Sequence, residues 1–162
     1  MNDDDLNLRR PGGLTALAII NFVYAGLVGL SLISIIIMGL NGDAMIALME
    51  KGLENDPDAE QNLNTIRTYV EAVSDPVNLT IGILLGVAVG GLLIISGLGY
   101  LKQQRFRGRT LGNIFAILML ASLAFSLYRL KIEFGILNML DIIYPALTLF
   151  LVNVTFKDDL VK

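Results

Sequence analysis

The 162-residue chain contains no cysteine, no histidine and no tryptophan. Without cysteine there is no disulfide, no thiolate-held iron–sulfur cluster and no thiol nucleophile. Without histidine, the commonest haem and transition-metal ligand and the usual general base near neutral pH are missing. A zinc site would have to be built from carboxylates alone. The expectation is therefore a protein that is not an enzyme, with no cofactor, no metal site and no catalytic residue. Interfacial anchoring, without tryptophan, falls to tyrosine, lysine and arginine. Charge is sparse too, at 17% of residues against 54% hydrophobic.

What fills the chain instead is four apolar runs, roughly Leu14–Leu40, Val77–Leu101, Leu111–Leu130 and Ile136–Phe156. Each is close to or above the roughly 20 residues that a helix needs to cross a bilayer's hydrocarbon core. The mean hydropathy of +0.67 places the composition outside the soluble norm. Too little polar sequence remains for a separate soluble domain. The expected fold is all-α: one integral membrane four-helix bundle spanning residues 1–162, with membrane lipid as its surroundings and no nucleic-acid partner. The first run is about twice the length of a signal-peptide core and follows Asp3, Asp4 and Asp5, so a retained first span is expected.

The placement of cations orients the bundle. Arg9 and Arg10 precede the first run, and Lys102, Arg105, Arg107 and Arg109 crowd the link between the second and third. The link 41–76 carries only Lys51 and Arg67 against Asp43, Glu50, Glu54, Asp56, Asp58, Glu60, Glu71 and Asp75. Lys and Arg favour the cytoplasmic side in short loops. Both termini and the basic link are thus expected in the cytoplasm, where the link meets the anionic inner leaflet, and the acidic link outside. Arg129 and Lys131 run against this rule.

The acidic link has a pattern of its own. Asp43 is placed to cap a short helix reaching about Asn55, and Asp56-Pro57 is a restart signal. Beyond it, Ala59, Leu63, Ile66, Val70 and Val73 form a narrow apolar stripe at helical spacing. Asp75-Pro76 repeats the restart before the second run. An external hairpin of two amphipathic helices is expected, lying on the bundle or the outer leaflet, or offering a partner-binding surface.

Small residues mark packing faces. Gly82, Gly86 and Gly90 recur at intervals of four in the second run, and Gly108, Gly112 and Ala116 repeat that spacing around the start of the third. Ala25, Gly26 and Gly29 give the first run a smooth patch. Small-xxx-small faces let helices approach closely in lipid, where tails are as apolar as leucine. Packing within the bundle, with the second and third runs as antiparallel neighbours, stands beside packing against another protein.

Asp141 is the ionisable residue set inside a span, near Asn138 and Tyr144, and it costs free energy there unless paired. An interfacial pair with Arg129 or Lys131 is the structural reading; a proton or ion site is the functional one. Asn21, Ser96, Asn113 and Asn153 all fall in the inner third of their runs. They are read as inter-helix hydrogen-bond partners, or as the lining of a small polar pocket. Asn78-Leu79-Thr80 and Asn153-Val154-Thr155 match the glycosylation pattern but lie in or against the membrane.

Arg10-Pro11 followed by Gly12-Gly13-Leu14-Thr15-Ala16-Leu17-Ala18 resembles the start of small uncharacterised bacterial multi-span proteins. The resemblance implies a bacterial inner membrane and carries no activity or site residues. The four-span outline is also similar to junction and tetraspanin proteins, whose external loop depends on cysteines that this chain lacks. The expected function is an accessory or scaffolding subunit beside other integral membrane subunits, or in a homo-oligomer. A small transporter or channel for a polar solute or ion is the alternative.

Overall fold

A computed structural model describes residues 12–52, 59–129 and 136–160, and among these the chain is helical with no strand. The elements are α1 (Gly12–Leu40), α2 (Gly42–Gly52), α3 (Ala59–Ser74), α4 (Pro76–Leu101), α5 (Leu111–Arg129) and α6 (Ile136–Phe150). Two π-helical segments, Arg105–Thr110 and Leu151–Thr155, adjoin α5 and α6. Arg9, Arg10, Asp56-Pro57 and Lys131 lie outside the described residues.

Among the described residues three helices are long and apolar enough to cross a membrane: Gly12–Leu40, Pro76–Leu101, and Arg105–Arg129, which joins the first π segment to α5. The fourth apolar run is α6 continued by its π segment. Pro145 sits within α6, and its missing N–H leaves the carbonyl of Asp141 without the usual helical donor.

The start of α4 follows directly from sequence. Pro76 occupies the first turn, where its missing N–H is not needed. The Asp75 carboxylate accepts from the Asn78 amide at 2.9 Å. At the start of α2 the chain only bends: Asn41 and Met45 amides still donate four residues back, each at 3.0 Å. Asp43 therefore lies inside the first turn rather than ahead of it, where the helix dipole still favours an acid.

The link between α4 and α5 is shorter than the basic stretch suggests. Gln103 takes φ 54°, in the left-handed region, and the reversal is complete by Gln104. Arg105, Arg107 and Arg109 are consequently already helical. Gly99 makes this possible, because a Cβ there would press into the backbone of Arg107 and Gly108.

Packing runs α1 to α4, α4 to α5 and α5 to α6, with α1 against α4 the most extensive. The glycine face of α4 is turned to α1, not to α5. A Cβ on Gly86 would collide with Leu32, and one on Gly90 would touch Val28 at 3.5 Å. Gly82 faces open space. On α5, Gly112 lies under the Tyr100 hydroxyl and Ala116 is fully buried. The small residues of α4 and α5 thus divide between two interfaces.

The buried core is weighted to the end of the bundle that holds the basic link. Leu14, Leu17, Ala18, Leu93, Tyr100, Phe115, Ala116, Val152 and Leu160 are all buried. At the opposite end, α3 lies against α1 and α4 through Val70 and Val73. Its partner α2 buries no side chain and packs on α3. The exposed Arg67–Glu50 ion pair ties the two helices together.

Candidate functional site

Among the described residues, three polar clusters and a cavity bring side chains from different helices together. In the first cluster Asn21 of α1 is completely buried. Its amide donates to the Leu93 carbonyl at 3.1 Å and to the Ser96 hydroxyl at 2.7 Å, both on α4. Its oxygen accepts from the Tyr144 hydroxyl of α6. The Tyr144 ring stacks on Tyr24 of α1, with centroids 4.2 Å apart and planes 13° apart. Phe115 of α5 lies on from it at 6.1 Å. All four long elements meet here.

The second cluster pairs α5 with the π segment after α6. The Asn153 amide donates to Asn113 Oδ1 at 2.7 Å, and Asn113 donates back to Asn153 Oδ1 at 3.2 Å. Arg109 Nε adds a bond to the same Asn153 oxygen at 3.1 Å. Asn153 also donates to the Leu149 carbonyl at 2.8 Å, within the widened turn. The four residues expected to share one layer therefore separate into Asn21 with Ser96 and Asn113 with Asn153.

The third cluster accounts for Arg129. Its Nε donates to Asn78 Oδ1 at 3.3 Å, while Asn78 donates to the Ala72 carbonyl at 2.9 Å. Arg129 is thus engaged at the head of α4 and makes no ion pair with Asp141. Among the described residues Asp141 has no hydrogen-bond or ion-pair partner, so of its two expected partners, Arg129 and Lys131, the first is not paired with it. Asn138 lies in α6, with its side chain outside the described residues. Lys131 is likewise outside them.

Asp141 borders a cavity of about 260 Å³ among α1, α4, α5 and α6, at the end of the bundle nearer the α2–α3 hairpin. Gly82 and Gly86 leave it open on the α4 side, and Ser31, Ser122 and Ser126 contribute hydroxyls. Tyr144 lies one turn further along α6, where it contacts Tyr24 and Asn21 of α1 on the side away from the hairpin. A second hollow of about 310 Å³ lies between α1 and Tyr69 of α3. Burial there pushes the Tyr69 phenol above its ordinary range.

Two contributors escaped the sequence reading. Tyr144 looked like a neighbour of Asp141 and is instead the hub joining α6 to α1. Asn78 looked like part of a glycosylation pattern and is a buried bracket for Arg129. The Asp75-Pro76 cap just before Asn78 was the signal available for the latter. Among the described residues no three acidic side chains gather as a metal site would require. The chain matches no family model, no curated protein and no solved structure.

Proposed function

We propose that this chain is a non-catalytic integral membrane protein of a bacterial inner membrane, serving as an accessory or scaffolding subunit of a larger membrane complex. Its spans are α1, α4, the first π segment with α5, and α6 with the second π segment. Both termini and the basic link face the cytoplasm, and the acidic hairpin faces outward. The lengths and apolar character of the three longest helices support membrane spans, and the placement of Lys and Arg supports this orientation.

One observation carries the functional reading. The most apolar 18-residue stretch of α1 buries no residue within the chain. Gly26 and Gly29 meet nothing within 4 Å, and Val23, Leu27, Leu30 and Ile33 beside them are exposed. Small residues on a bare helix face suit close approach by another helix. The occupant is another integral membrane subunit, or a second copy in a homo-oligomer. Native mass spectrometry of protein released in several gentle detergents tests this. A defined complex is expected, and a lone monomer in every detergent would count against it.

The transporter or channel reading draws on the cavity at Asp141. Against it stands the Asn21–Tyr144 hydrogen bond, which joins α1 to α6 beyond the cavity. Solute flux into proteoliposomes that disappears in Asp141→Asn or Asn113→Leu would favour it over the scaffold.

A further inference from the structure

The cavity beside Asp141 has a polar lining biased toward acceptors. Ser126 spends its hydroxyl proton on the Ser122 carbonyl at 3.0 Å, which leaves its oxygen lone pairs for a guest. Asp141 supplies the one carboxylate among the described lining residues, and Ser31 and Ser122 add further hydroxyls. Pro145 withholds a helical donor from the Asp141 carbonyl. The remaining wall is apolar, including Val28, Leu32, Ile35, Met119, Leu123 and Phe125.

These features discriminate among ligands. An anion would face the Asp141 carboxylate with no cation among the described lining residues to offset it. Calcium takes about six to eight oxygen ligands, commonly with several carboxylates, and magnesium keeps much of its water. A bare alkali ion would gain nothing from the aliphatic and aromatic wall. An ammonium head carries three donors and one positive charge, which suit a carboxylate and neighbouring hydroxyl oxygens. A short hydrocarbon body would cover the apolar wall, as is usual for pockets with few fixed polar groups.

The geometry points to a binding site for a primary ammonium compound bearing a short apolar body, with Asp141 holding the head group. This goes beyond the scaffolding role and does not depend on it. The glycines define the site's size: Gly86 is packed against Leu32, whereas Gly82 faces open space and leaves room that a larger residue would occupy.

Isothermal titration of the purified full chain in detergent micelles tests the assignment, using propyl-, butyl- and pentylammonium as probes. Equal-length alcohols and sodium chloride at matched ionic strength are the controls. Saturable binding is expected, tightening roughly fourfold per added methylene until the cavity is full. The alcohols are expected to bind at least about tenfold more weakly, since they lack the charge that Asp141 pairs. Asp141→Asn is expected to reduce ammonium affinity at least about tenfold, and Gly82→Leu to do the same by filling space while leaving the carboxylate in place. Should Asp141→Asn fail to fold, the Gly82→Leu result and the ammonium–alcohol difference still decide. Equal binding of alcohols, unchanged affinity in Gly82→Leu or in folded Asp141→Asn, or a heat signal from sodium alone would overturn the assignment.

Discussion

The Tyr144 hydroxyl donates to the side-chain oxygen of Asn21, joining α6 to α1. Asn21 thereby uses both amide protons and its oxygen on three different groups. In an apolar surrounding, an unmade bond at any of them would leave a buried polar group without compensation. The Tyr24 stack holds the Tyr144 ring in place, so aromatic packing and hydrogen bonding reinforce one another.

Unfolding free energies in mixed micelles should resolve this cluster. Tyr144→Phe removes one bond while keeping the ring and is expected to cost about 1 kcal/mol, typical of inter-helix hydrogen bonds in membrane proteins. Asn21→Leu strands the Tyr144 hydroxyl and removes the donors to Ser96 and the Leu93 carbonyl, and is expected to cost about 2–4 kcal/mol. The double variant should show a coupling of roughly 0.5–2 kcal/mol. Strict additivity would mean that the two side chains act independently.

Glycine substitutions should fall in an order set by what their new methyl group meets. Gly99→Ala drives a Cβ into backbone at the reversal and is expected to cost about 3 kcal/mol or to prevent folding. Gly86→Ala presses on the flexible end of Leu32 and should cost about 1 kcal/mol. Gly91→Ala meets nothing within 4 Å and should be neutral or stabilising by a few tenths of a kcal/mol. Thermal midpoints of the three variants in one detergent would check the order.

The Asn113–Asn153 pair predicts an asymmetry between single and double changes. Asn153→Leu leaves Arg109 Nε and the Asn113 amide without their shared acceptor, at an expected cost of about 2 kcal/mol. Adding Asn113→Leu should recover part of that loss, because one stranded amide is removed with it. Unfolding by a graded denaturing detergent would measure both.

Because the chain has no native cysteine, single cysteines report its threading cleanly. Glu60→Cys on α3 should react with a membrane-impermeant maleimide in intact cells, and Asp158→Cys only after permeabilisation. The reverse pattern would invert the orientation. By contrast, Arg67→Ala breaks an exposed ion pair and should move stability by less than about 1 kcal/mol.

The helix ends were legible because Pro76, Asp75 and the charged flanks are local signals. The rotation of each helix was not. α1 and α4 are apolar all round, so no amphipathic stripe says which face looks inward. That is why the α4 glycines could be recognised as a packing face while the helix they meet could not be read. Arg129 and Asp141 fell near one another along the chain, yet pairing is decided in three dimensions, where Asn78 reaches Arg129. The π segments leave no distinctive local pattern. Nor does the Gln103 reversal, which uses a left-handed backbone at a residue that usually avoids it.

The most direct measurement is site-specific photo-crosslinking in native membranes, with the photoreactive residue placed at Leu27 or Leu30 of α1 and at Ile117 of α5 as control. All three side chains are exposed in the chain alone, at 53%, 64% and 60%. If the bare face of α1 is a subunit interface, Leu27 and Leu30 will give one discrete adduct with another integral membrane polypeptide, or with a second copy of the chain. Ile117 will give lipid adducts only. Lipid adducts alone at all three positions would contradict the account.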